Sequence, residues 1–179
     1  MKENRSTLNK STHNRFRLVS WLYTAVIVLL VLCFTYTVWF SFAVVSDDGM
    51  LPSLKDGDII MYNKLAIYFG GIDRSDVLIF NDENGNISLG RVIALSNEKI
   101  QISANKTYIN GILLDESGYY TGTVADMEQM LIPEGFVFVM PDNRNAVSLS
   151  TEAMLISVND IVGIAALRVS PLNRIGVFA

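Results

Sequence analysis

From Leu18 to Val45 the chain runs for 28 residues without one charged side chain, and this stretch leaves few folds open. As a helix rising ~1.5 Å per residue it would extend roughly 42 Å, more than the ~30 Å hydrocarbon core of a bilayer requires. Ser41-Phe42-Ala43 offers the small residues of a cleavage site, but a cleaved signal has only ~7 to 15 apolar residues, so the run reads as a transmembrane helix at 18–45. Lys2, Arg5, Lys10, Arg15 and Arg17 precede it against a single Glu3, and Asp47 and Asp48 follow. The basic end is therefore expected in the cytoplasm and the remainder outside. Trp21 and Tyr23 near one end, and Tyr36, Trp39 and Phe42 near the other, suit the two water interfaces. The expected organisation is a basic, disordered cytoplasmic tail at 1–17, a single-pass helix at 18–45 in the cell membrane and an extracellular domain at 46–179.

The chain has 14 Lys and Arg and 18 Asp and Glu, and all but one of the acids follow the span, which makes the outer domain distinctly acidic. Nucleic acid is excluded as a partner, because phosphate contacts need the opposite sign. The one cysteine, Cys33, lies inside the apolar run, and the one histidine, His13, precedes it. The outer domain thus has no disulfide, no Ser-His-Asp triad, no Cys-His pair and no ordinary zinc site. No metal and no cofactor is expected. If hydrolysis occurs, a Ser-Lys arrangement is nearly the only route left.

Beyond the span the pattern is mainly β, an antiparallel sheet domain. Residues 58–62 and 76–80 are short β-prone runs bounded by turn residues. Asn84-Gly85 is a strong hairpin signal, so 87–95 is expected to return antiparallel to 77–80. Residues 99–104 and 107–109 alternate around Asn105-Lys106, Asn110-Gly111 marks another tight turn, and 136–140 and 161–169 complete the strands. Residues 115–130 show no clean period and read either as a surface excursion or as a short helix at 124–130. The connector Leu65 to Ile72 is unusually apolar, and reads either as a core-facing loop or as a rim dipping into lipid headgroups.

Almost directly after the span comes Gly49-Met50-Leu51-Pro52-Ser53-Leu54, followed by Gly57-Asp58. Further blocks are Arg74 to Phe80, Gly90-Arg91-Val92-Ile93-Ala94-Leu95, Tyr108-Ile109-Asn110-Gly111, Pro133 to Met140 leading into Asp142-Asn143-Arg144, and Asp160-Ile161-Val162-Gly163. Their order and spacing resemble the small Gram-positive form of the type I signal peptidases over nearly all of 49–169. In that family the first block is Ser-Met-x-Pro-Thr-Leu, whose serine attacks the scissile carbonyl. A lysine before Arg-Val-Ile, kept neutral by burial, is its general base.

Both groups are missing here. Gly49, or Asp48 if the register shifts by one, holds the nucleophile position, and Gly90 holds that of the base. Val147 and Leu149 stand where a hydroxyl and a carboxylate support the lysine in the family. With no buried amine to satisfy, apolar residues there avoid an unpaired polar group, so the changes make sense together. Losing one member of such a unit costs on the order of 10⁶ in rate. The resemblance thus implies a pseudoenzyme, and among relatives the pattern is similar to the inactive SipA-type homologues that accompany streptococcal pilus assembly.

The residues expected to form the old substrate groove are Gly49, Met50, Leu51, Pro52, Ser53 and Gly90. Arg91, Asp142, Asn143 and Arg144 are expected to be structural, with Arg91 pairing Asp142 across strands. The resemblance implies a chaperone-like binding protein whose partners are the membrane and a secreted protein or pilin, with sortase as a further candidate. Two alternatives stay open. One is an active peptidase with relocated groups, drawing on Ser46, Ser53 or Ser148 and on Lys55 or Lys64. The other is a membrane scaffold with an unused groove.

Overall fold

The computed structural model describes residues 3–82, 85–145 and 154–177, with side chains from Arg17 onward except at 18. The chain divides into two compact units, Met1–Trp39 and Phe40–Ala179. The first is one helix, α1 (Glu3–Trp39). Its segment Val19–Trp39 is long and apolar enough to cross a membrane, and at ~1.5 Å per residue these 21 residues extend roughly 31 Å. Its three threonine hydroxyls are satisfied by the helix itself: Thr24, Thr35 and Thr37 donate to the carbonyls of Ser20, Val31 and Phe34 at 2.9, 2.8 and 2.8 Å. That removes the cost of carrying polar groups into hydrocarbon.

Two sequence expectations change at this helix. Residues 3–17, read as a disordered tail, are helical, and the run 18–45 does not stay helical to its end. Phe40–Val44 is a strand, β1, paired antiparallel with β2 (Ile59–Asn63) from Phe40↔Asn63 to Val44↔Ile59. Aromatic and β-branched residues satisfy either structure, and the edge of β2 decides in favour of the strand.

The second unit is mainly antiparallel β. After β2 come a short helix α2 (Ala66–Phe69), β3 (Val77–Asn81), β4 (Ile87–Ala94), β5 (Lys99–Ser103), β6 (Lys106–Ile109) and β7 (Ile112–Leu113). Then follow β8 (Met127–Leu131), β9 (Phe136–Met140), β10 (Leu155–Ser157) and β11 (Ile161–Ser170). They form a seven-stranded sheet ordered β1-β2-β11-β3-β4-β9-β10 and a four-stranded sheet ordered β7-β6-β5-β8. The hairpin expected at Asn84-Gly85 joins β3 and β4, with Val77↔Arg91 and Asn81↔Ile87 in register and Gly85 at φ +78°. Of the two readings of 115–130, the short helix at 124–130 does not form: Met127–Leu131 is β8, because the open edge of β5 offers its backbone groups partners. Apolar residues of the connector 65–72 divide: Ile67 and Ile72 pack on the core, whereas Tyr68 and Phe69 are exposed.

The large sheet buries both faces of its central strands. On β3, Val77 and Ile79 pack against Val45, Met50, Leu54 and Ile60 beneath the loop that follows β1. Leu78 and Phe80 point the other way, to Val92, Val137, Val139 and Ile156. A third cluster, including Ile93, Ile100, Ile109 and Phe138, fills the space between the two sheets. Gly163 on β11 permits a close approach, since a Cβ there would lie 2.6 Å from Tyr62 Cδ2 and 2.9 Å from the Asn63 carbonyl oxygen. Gly163→Ala is expected to destabilise the β unit by about 1 to 3 kcal/mol through overpacking. Thermal unfolding of the detergent-solubilised full chain, followed by circular dichroism, checks this.

Candidate functional site

Gly49 and Gly90 line one crevice of about 520 Å³. The strands explain why. Gly90 lies in β4, and Ser88, two residues before it, shares its face. Phe80 of β3 is in register with Ser88, and Val139 comes from β9 on the other side. Leu155 and Ile156 of β10 add to the apolar wall, while Gly49 arrives from the loop after β1. The floor at Gly90 is close-packed: a Cβ there would meet Val139 Cβ and Cγ2 at 3.3 Å and Phe80 Cε1 at 3.4 Å.

The loop carrying Gly49 is held from both sides. The Gly49 N–H donates to Asp47 Oδ1 at 2.7 Å, and the Gly49 carbonyl accepts from the Asn143 N–H at 2.8 Å. Asn143 Nδ2 also donates to the Asp48 carbonyl at 3.1 Å. Beyond Gly49 the chain folds into a tight turn closed by Leu54 N–H to Met50 O at 2.8 Å, and Met50 and Leu54 are fully buried in the core.

The groove expected from the sequence is therefore only partly formed by the residues assigned to it. Gly49 and Gly90 are in it; Met50, Leu51, Pro52 and Ser53 are not among its lining residues. Met50 is core, and Ser53 turns to a buried ionic node. The structure adds residues that sequence reasoning missed, among them Phe80, Ser88, Val139, Ile156, Asp82 and Asp160. Ser88 was legible by strand alternation from Gly90. The others depend on strand order and register. Val147, Leu149 and Ser148 lie outside the described residues.

The node is built on Arg91 and Asp142, each side chain 1 % exposed. Arg91 Nε and Nη2 donate to Asp142 Oδ1 and Oδ2 at 2.8 and 2.7 Å, and Nη1 donates to the Ser75 carbonyl at 2.9 Å. Ser53 Oγ donates to Asp142 Oδ2 and accepts from Arg91 Nη2 at 3.2 Å. The Tyr119 ring lies 4.3 Å from the guanidinium carbon, a cation–π contact. A second buried pair joins Arg144 to Glu116, with Tyr120 4.3 Å from that guanidinium.

For the relocated-site alternative, the hydroxyls in the crevice are those of Ser88 and Ser157. No Lys, Arg or His is among the described residues lining it. Ser53 is occupied by Asp142 and Arg91, and Lys55 is exposed.

By fold and site, then, this is a chain with an apolar helix long enough to span a bilayer, followed by an all-β unit whose crevice is roofed by the loop entering from the helix side of the sequence. Residues 18–170 match the family model for signal peptidase, peptidase S26, and the chain belongs to that family. It is 28% identical over 181 residues to signal peptidase I of Bacillus caldolyticus, covering 93% of this chain and 97% of that protein. It is 27% identical over 148 residues to signal peptidase IB of Staphylococcus aureus, covering 73% and 78% of the two. A crystal structure of a signal peptidase I from Enterococcus faecalis superposes with a TM-score of 0.45 at 24% identity, over 52% of this chain and 95% of that one.

Breaking the node is expected to be costly. Asp142→Ala leaves a buried guanidinium uncompensated and should lower stability by about 3 to 5 kcal/mol, whereas Arg91→Met combined with Asp142→Leu should cost less than the two single changes added. Denaturant unfolding of the full chain measures both. Beside the node, burial is the main cause that raises the Asp76 pKa, and the neighbouring Asp73 charge adds to it; the Asp73 N–H bond and Arg91 oppose. Folding therefore favours the protonated form, so the stabilisation is complete below the unfolded value of 3.8 and is lost as pH rises through the higher folded value. Asp76→Asn keeps an acceptor for the Asp73 N–H and should raise the unfolding midpoint at neutral pH. Below pH 3.8 the gain should fade.

Proposed function

We propose that this member of the signal peptidase family is a pseudoenzyme: anchored in the cell membrane with its N-terminus in the cytoplasm, it holds extended segments of secreted proteins in its crevice. In this reading its partner is a pilin or similar secreted polypeptide, and it acts as a chaperone-like accessory to pilus assembly, with sortase as a further contact. The observation that carries the proposal is the position of Gly49 and Gly90. They line the same crevice, the resemblance assigns them the places of nucleophile and base, and neither has a side chain to attack or to accept a proton. The described walls bring no amine to replace the missing one.

Binding needs none of the lost chemistry. An apolar crevice bordered by strands accepts an extended chain through backbone hydrogen bonds and side-chain packing. The crevice volume of about 520 Å³ suits several small side chains. Membrane anchoring raises the local concentration of partners emerging at the same surface. The basic flank of the helix supports the orientation.

The full chain in lipid nanodiscs, given a preprotein at neutral and alkaline pH, is expected to release no mature product, while signal peptidase I of Bacillus caldolyticus does. Gly49→Ser with Gly90→Lys should still fall well short of that enzyme, because the new Cβ at position 90 crowds Val139 and Phe80. A photo-crosslinker at Ser88 in intact cells should trap a secreted polypeptide. Turnover by the unmodified chain would overturn the proposal, and crosslinks only to membrane proteins would favour the scaffold.

A further inference from the structure

The first three elements of the β unit, β1, β2 and α2, hold no charged residue. The chain after Trp39 otherwise carries 9 Lys and Arg and 17 Asp and Glu, so this uncharged part stands apart from the rest. Strand alternation sorts its side chains. On β1, Ala43 packs with the cluster of Met50 and Ile60, while Phe42 and Val44 point the other way, each more than half exposed. Met61 and Ile59, their partners in register on β2, share that outer face. So does α2: its Ile67 and Ile164 of β11 pack on one cluster, and Ile164 is opposite Asn63, two residues after Met61. Tyr68 and Phe69 of α2 are 78 % and 80 % exposed.

The register fixes where this face lies. Asn63 is opposite Phe40, and its Oδ1 accepts from the Leu65 and Ala66 N–H groups at 2.9 and 3.1 Å, which starts α2 at that end of the strands. β1 is the edge of the seven-stranded sheet, and Phe40 directly follows Trp39, the last residue of the apolar span. At ~3.4 Å per residue Phe42 therefore lies within about 10 Å of the span, whichever way the strand runs. The headgroup zone beside the hydrocarbon is itself roughly 5 to 7 Å deep.

We propose that this face, with Phe42, Val44, Tyr68 and Phe69 at its surface, lies against the bilayer and sinks those side chains into the boundary between headgroups and acyl chains. The β unit then rests on the membrane instead of standing off it. This inference rests on the membrane anchoring in the reading above and adds a second contact with the same partner. Apolar side chains held this close to lipid gain by leaving water, and aromatic rings suit the boundary because one end is apolar and the other wet. An uncharged face also enters without the cost of desolvating a carboxylate.

The test uses the unmodified full chain in nanodiscs that contain a phosphatidylcholine with a photoactivatable diazirine near its headgroup, and mass spectrometry to map the labelled peptides. Ile112 and Leu113 of β7 are the control, because they too are exposed and apolar but belong to the other sheet. Labelling of 40–44 and 66–69 should exceed that of β7 about fivefold, since side chains seated ~5 to 10 Å into the boundary meet the probe continuously. It should persist in high salt, because apolar burial is not screened. In Tyr68→Ser with Phe69→Ser, labelling of 40–44 should fall.

Labelling of Val19–Trp39 with no excess at the face over β7 would overturn this inference and leave the anchoring standing. No labelling of Val19–Trp39 would overturn both. Labelling of the face that disappears when two chains share one disc would assign the face to a second copy and overturn the lipid contact. Unchanged labelling of 40–44 in the double variant would overturn the part given to α2. The comparison within the unmodified chain needs no variant, so it decides even if the double variant does not fold.

Discussion

The crevice depends on an ion pair that does not line it. Taking Arg91 and Asp142 out of water costs several kcal/mol per ion, and only good geometry with further hydrogen bonds offsets that. Here the pair is bidentate, Ser53 bonds to both partners, the Ser75 carbonyl takes another guanidinium N–H and the Tyr119 ring covers its face. Three segments distant in sequence are thereby tied together: β4, the turn after β9 and the loop after β1. Gly90 precedes Arg91, and Gly49 lies in the same tight turn as Ser53. The same contacts that neutralise the buried charges therefore fix how far apart the two glycines sit. A chain that had abandoned this part of its fold would have no reason to keep so costly a pair.

The helix and the sheet compete for the residues that join them. Phe40 to Val44 continues the uncharged run, and nothing in its composition tells a helix from a strand. What tells them apart is the edge of β2, since a helix of roughly 42 Å is more than a bilayer needs. Ending the helix at Trp39 leaves a span that matches the hydrocarbon thickness, and the surplus apolar residues are used as β1.

Turn chemistry was the most legible part of the sequence. Asn84-Gly85 and Asn110-Gly111 mark chain reversals where Gly85 and Gly111 take φ +78° and +82°, a conformation that suits glycine. Less legible were elements whose structure is decided by a partner distant in sequence, such as β1 on β2 and β8 on β5. The site divides the same way. Gly49 and Gly90 could be found from their motif blocks, but the tight turn of the loop, which sends Met50 inward, is local geometry that a motif does not encode. Phe80, Val139, Asp82 and Asp160 meet only because of strand order, so no spacing in the sequence announces them.

On the pseudoenzyme reading, the walls at Gly90 explain why the base could not simply be lost and its pocket left unchanged. A lysine acts as a base only where burial disfavours its charged form, which requires apolar neighbours on every side. Phe80 and Val139 supply such neighbours, and they stand 3.3 to 3.4 Å from where a Cβ at position 90 would be, so a side chain there needs them to give by a few tenths of an ångström. Glycine keeps this wall close-packed with no charge that would need compensation. The crevice that Gly90 lines is also bordered by Asp47, Asp82 and Asp160. On that reading the floor no longer suits proton transfer, while the apolar wall would still accept an extended chain.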